Sequence, residues 1–123
     1  MFKIVVRAKR DADAVRAALE RFKSDWNIEI RTLGGVRSVE AALDRLKSII
    51  DDENYYLVLI AREDEKLLEL EGEFGDNVAF QLVNKNKIRN ARLTEIYYAI
   101  ERGRAKIRNI AGWTAKALSL IHI

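Results

Sequence analysis

The run Tyr55-Tyr56-Leu57-Val58-Leu59-Ile60-Ala61 limits what this chain can fold into more than any other stretch. It is far shorter than the roughly 18 apolar residues that a membrane span needs. An uncharged run of this length reads instead as a strand buried on both faces. Each face then needs its own cover, which points to a parallel sheet held between two layers of helices, with this strand at its centre.

The flanking sequence supplies the partners. Phe2–Ala8, with Ile4, Val5 and Val6 at its middle, reads as a first strand. Asp11 and Asp13 are candidate N-caps for a helix whose apolar stripe is Val15, Ala18, Leu19, Phe22 and Trp26. Ile28–Leu33 alternates apolar and charged residues, as a half-exposed strand does. Gly34-Gly35 breaks the chain, and Ser38 caps a second helix that carries Ala42, Leu43, Leu46, Ile49 and Ile50 on one face. Asp51–Asn54 is a polar turn into the central strand. Glu63–Glu71 reads as an acidic helix closed by Gly72 or Gly75, and Val78–Val83 as a fourth strand. This alternation predicts βαβ units with right-handed crossovers. The expected fold is α/β, three-layer α/β/α, around a mainly parallel sheet of four to five strands.

Beyond Asn84 the pattern changes. Asn90–Arg102 predicts a helix with Leu93, Ile96, Tyr97 and Ile100 facing inward, and Gly103 is placed to end it. Arg104, Lys106 and Arg108 then alternate with Ala105, Ile107 and Asn109, which argues for a strand with one basic face. The alternative is a helix that continues through Gly103. Trp113, within Ala111–Ala117, opens a further element. Residues 1–117 are thus expected to form one domain: acidic βα repeats over 1–83 and a basic helix–strand extension over 84–117.

Read as codons, Leu118-Ser119-Leu120-Ile121-His122-Ile123 translates CTG-TCT-CTT-ATA-CAC-ATC, which resembles the transposase mosaic end used to fragment DNA for sequencing libraries. The expectation is a non-native tail on a natural chain cut near Ala117, so that this domain is the N-terminal part of a larger protein and the missing C-terminal part is one of its partners. The tail also holds the single histidine. With no cysteine in the chain, thiolate nucleophiles, disulfides, zinc–thiolate sites and iron–sulfur clusters are excluded from this segment. Without the tail, acid–base work falls to carboxylates, lysine or tyrosine. No signal peptide or membrane span is legible, and the expected compartment is the cytoplasm. A charged fraction of 33%, no Cys, one Met and a lone Gln81 give a thermophile-like composition, against which the absence of proline stands.

Charge is segregated along the chain. Residues 1–83 hold 13 Lys/Arg against 17 Asp/Glu, whereas 84–117 hold 9 against 2. A basic block of this kind attracts polyanions by displacing their counterions. The expected contacts to RNA or DNA phosphates are Lys85, Lys87, Arg89, Arg92, Arg104, Lys106 and Arg108, with Tyr98 and Trp113 as stacking platforms for single-stranded bases. The same block could instead pair with the acidic 51–76 stretch of its own domain.

In a parallel α/β sheet, ligands gather at the carboxyl ends of the strands. Three segments emerge there: Arg7–Asp13, Gly34–Ser38 and Arg62–Glu65. Asp11, Asp13, Glu63 and Asp64 form a candidate Mg²⁺ set for phosphoryl transfer or nucleotide binding, since a hard cation takes oxygen ligands. These acids also lie in first helical turns, where a carboxylate satisfies free N–H groups and complements the helix dipole.

The element order over 2–83 resembles a Toprim-like domain, a family with a glutamate at the end of its first strand and an Asp-x-Asp pair after a later one. The corresponding positions read Arg7 or Ala8, and Ala61-Arg62-Glu63-Asp64-Glu65. The resemblance implies a Toprim-like or Rossmann-like topology and, with the glutamate missing and the acidic pair displaced, an inactive or reworked site. The leading functional expectation is a nucleic-acid-associated, RNA-directed phosphate-binding domain. A Mg²⁺-dependent phosphoryl-transfer or nucleotide-binding enzyme and a protein-interaction module are the alternatives.

Overall fold

A computed structural model describes residues 1–22 and 28–107. The expectations attached to Trp26, Arg108, Trp113 and the 118–123 tail lie outside these residues. Four strands, β1 (Phe2–Val6), β2 (Ile28–Thr32), β3 (Tyr55–Ala61) and β4 (Val78–Val83), form one sheet in the order β2-β1-β3-β4. Every pairing is parallel, and the registers Phe2↔Ile28, Phe2↔Tyr55 and Tyr56↔Val78 keep the strands in step. β3 is the strand that the apolar run predicts: six of its seven residues are buried.

Because side chains alternate along a strand, β3 feeds two cores. Leu57, Leu59 and Ala61 join Ile4, Val6 and Ala79 beneath α1 (Lys9–Arg21) and α3 (Leu93–Lys106). Tyr56, Val58 and Ile60 join Val5, Val78 and Phe80 beneath α2 (Val39–Ile49) and a 3₁₀ segment, Arg62–Glu73. The three-layer α/β/α architecture therefore follows from one strand with two apolar faces. No helix among the described residues is long and apolar enough to cross a membrane.

Three local expectations change. α1 starts at Lys9 with Ala8 as its cap residue, so Asp11 and Asp13 lie inside the helix and are not N-caps. The stretch after β3 winds as a 3₁₀ helix through Gly72, with non-helical angles at Asp64 (φ −111°, ψ 21°), in place of an α-helix closed there. The expected basic strand after Gly103 does not form, because α3 continues through Gly103 to Lys106.

The cause of the last difference is packing. A Cβ built on Gly103 would clash with Leu57 Cδ1 and lie 2.9 Å from Cδ2. The glycine lets α3 sit directly on β3; it does not end the helix. The period-two basic pattern consequently belongs to a helix and is shared between a buried and an exposed face: Arg104 is buried at 1% exposure, whereas Arg102 and Lys106 are exposed.

Arg104 sits 3.6 Å from Glu101 and 5.2 Å over the Phe2 ring. Burial pulls its guanidinium below the usual arginine range, and the Glu101 carboxylate opposes that pull. A charge in this position is tolerated only with its partner in place.

Gly103→Ala is expected to destabilise the fold by about 1–3 kcal/mol, because overpacking against Leu57 outweighs the gain of roughly 1 kcal/mol in helix propensity. Urea denaturation of the variant beside the parent measures this; a stabilised variant would contradict the packing explanation.

Candidate site at the carboxyl edge of the sheet

The chain leaves β1 towards β2 and leaves β3 towards β4, on opposite sides, so the gap beyond the ends of β1 and β3 is the topological switch point. A cleft of about 360 Å³ opens there. Its polar lining comes from Arg7 after β1, Arg37 and Ser38 before α2, and Arg62, Glu63, Asp64 and Lys66 after β3. Val36, Val39, Ala42 and Leu67 supply apolar wall and floor.

The local backbone explains how these groups converge. The ladder runs past β2 through Leu33 N–H to Val6 O (3.0 Å) and Gly34 N–H to Arg7 O (3.2 Å). Gly34 then adopts φ +74°, a conformation suited to glycine, and turns the chain over the sheet edge. Ser38 caps α2, its Oγ accepting from Ala41 N–H at 3.0 Å, as the sequence predicts.

Arg7 ties the site together. Its Nη1 donates to Asp64 Oδ1 at 2.6 Å and lies 3.9 Å from Glu63 Oε1, while Nη2 reaches Val36 O at 3.5 Å. Asp64 keeps a side-chain exposure of 16%. Burial pushes its carboxyl above the usual carboxylate range; Arg7 opposes this, and the charges of Glu63 and Asp11 reinforce it. A carboxylate held this way in a cleft is the kind of group that functional sites use.

The loop after β4 reaches the same edge. Arg62 N–H donates to Lys85 O (2.9 Å), Glu63 N–H to Asn86 O (3.2 Å) and Arg62 Nε to Asn84 Oδ1 (2.7 Å). The stretch that carries Lys85, Lys87, Arg89 and Arg92 is thereby tied to the same carboxyl edge, outside the cleft lining and with Arg89 turned toward α1. Lys85 pairs with Glu95 at 3.7 Å and Arg89 with Asp11 at 3.7 Å. Among the described residues, Arg37, Arg62, Lys87 and Arg92 form no ion pair.

The expected phosphate-binding set therefore divides. Lys85, Lys87, Arg89 and Arg92 stand at the carboxyl edge, whereas α3 runs back toward the amino edge over roughly 20 Å at about 1.5 Å per residue. At its far end Arg104 is buried, which removes it from any binding surface, and Lys106 Nζ donates to Phe80 O at 3.0 Å. Tyr98 is 57% exposed, as a stacking platform needs, while Tyr97 is stacked on Phe22 at 4.7 Å.

The four candidate Mg²⁺ ligands are dispersed. Asp11 accepts from Arg89 N–H (3.2 Å), Asp13 pairs with Arg16 on the outer face of α1, and Glu63 and Asp64 engage Arg7. No cluster of three or more potential metal ligands occurs among the described residues.

Arg7, Arg37 and Arg62 stand in the cleft without having been singled out from the sequence as binding residues. All three lie in the segments the sequence places at this edge, one per loop, beside the acids that are the more conspicuous signal there. The chain matches no family model, and neither a curated protein nor a solved structure is detectably similar to it.

With Asp64 protonating more readily folded than unfolded, its contribution to stability is present below the ordinary 3.8 and lost as pH rises through the elevated folded value. Asp64→Asn should remove that loss. The variant's stability relative to the parent is expected to grow between pH 4 and neutrality, as read by urea denaturation at each pH. A gap that shrinks over this range would contradict the assignment.

Proposed function

We propose that the carboxyl edge binds the phosphate backbone of a nucleic acid, with single-stranded RNA as the preferred partner. One observation carries the reading: cations from the loops after all four strands lie along one edge, Arg7, Arg37 and Arg62 around the cleft at the sheet's switch point and the Lys85–Arg92 stretch beyond β4. Guanidinium forks suit phosphate oxygens, and a row of them suits a repeating polyanion better than an isolated anion. Tyr98, about 9 Å along the α3 axis from Arg92, supplies a ring on which a base can stack.

Anisotropy of a labelled single-stranded RNA tests the proposal. Affinity should fall steeply with salt, the logarithmic slope being about −0.7 per phosphate contacted. Arg37→Ala, Arg62→Ala and Lys87→Ala should each flatten the slope by roughly 0.7, while Lys47→Ala, at the far end of α2, should leave it unchanged. A slope that these edge variants do not alter would sink the reading.

A second reading, a phosphorylated small molecule such as a mononucleotide held in the cleft, is favoured by the cleft volume of about 360 Å³ and by Arg37, Arg62 and Lys66 in its lining. Displacement of the RNA by a mononucleotide at micromolar concentration would support it over the first. This occupant would leave Lys87 unused, so only the cleft arginines would respond to mutation.

A further inference from the structure

The two edges of the sheet are treated differently. In a parallel ladder, alternate residues direct both backbone groups to the same neighbour. Tyr56 N–H bonds to Asn77 O, so the odd-numbered residues of β4 face β3 and Phe80 faces outward. Both outward groups of Phe80 are occupied: its N–H donates to Glu71 Oε2 at 2.6 Å, and its carbonyl accepts from Lys106 Nζ at 3.0 Å. Side chains thus occupy the place a fifth strand would take.

β2 has no such cover among the described residues. Leu33 N–H bonds to Val6 O in the ladder with β1, so Glu29 and Arg31 direct their backbone groups inward, and Ile28, Ile30 and Thr32 direct theirs outward. Ile28 and Ile30 are partly exposed, and Glu29, Arg31 and Thr32 are exposed. An open edge of this kind is a template for another strand.

We infer that β2 pairs with β2 of a second copy of this chain, antiparallel, across a two-fold axis at Ile30. The sequence Ile-Glu-Ile-Arg-Thr is self-complementary in that register. Ile30 meets Ile30 and Ile28 meets Thr32, and these are the residues whose backbone groups point outward, so each pair exchanges both N–H···O bonds. Glu29 falls opposite the second copy's Arg31 as the closer, non-hydrogen-bonded pair, and the axis repeats that opposition. Lys3 Nζ holds Glu29 Oε2 at 3.0 Å, which places the carboxylate on the correct face with an oxygen to spare. A one-residue slip would turn inward-bonded residues to the interface and lose both the ladder and the charge match. The product is one continuous sheet of two four-stranded halves, ending on both sides at a capped β4.

Sedimentation velocity of the full chain over a concentration series, with hydrogen exchange of the Ile28, Ile30 and Thr32 amides, tests this. The parent should be a dimer whose outward β2 amides gain protection as concentration rises. Glu29→Arg and Arg31→Glu, each placing like charges opposite one another twice, should each weaken self-association roughly tenfold or more. The double swap Glu29→Arg/Arg31→Glu should restore it, and an equimolar mixture of the two single variants should form a heterodimer. A parent that stays monomeric, protection independent of concentration (the mark of a segment of the same chain covering the edge), or self-association indifferent to the swaps would each overturn the proposal.

Discussion

Everything in this fold depends on the two-sided burial of β3. A strand with apolar side chains on both faces and neighbours at both edges has all its backbone groups satisfied without water, and cannot sit anywhere but the centre. Its outer faces then dictate a helical layer above and below. The requirement reaches into details far away in sequence: a glycine at position 103 lets α3 approach closely where Leu57 presses against it. The cleft is a by-product of the same arrangement, since chain departures in opposite directions from β1 and β3 leave the gap that Arg7 and Asp64 line.

The sheet was legible because its signals are local. The uncharged run at Tyr55–Ala61, the Ile/charge alternation of β2 and the Ser38 cap each determine conformation within a few residues, and each appears as read. What was illegible depended on contacts distant in sequence. Gly103 has the composition of a helix stop, and only the approach of Leu57 reveals a packing role. Asp11 has the position of a capping group, yet its acceptor capacity is spent on Arg89, 78 residues away. A linear count of charge likewise makes residues 84–117 one basic tract, whereas α3 carries the two ends of its part of that tract to opposite edges.

Electrostatics at the carboxyl edge is a balance, not a simple surplus. Arg7 is committed to Asp64, Lys85 to Glu95 and Arg89 to Asp11, while Arg37, Arg62, Lys87 and Arg92 stand without a carboxylate among the described residues. The first group ties the loops together, and the second is the set that the proposed phosphate binding would use. Under the proposed reading, a chain of modest net charge (+3) would favour one edge for a polyanion, because orientation of the field matters more than its sum.

The capping of Phe80 by Glu71 and Lys106 has a consequence for valency. A subunit that can accept strands at both edges is a bifunctional monomer and propagates without limit, as fibres do. A subunit sealed at one edge is monofunctional: whatever joins it at the other side completes the assembly. In the proposed dimer, two side-chain hydrogen bonds on one residue would thus act as a chain terminator. Were they removed, the same sheet would gain a second open edge, and the proposed closed association would become an open one.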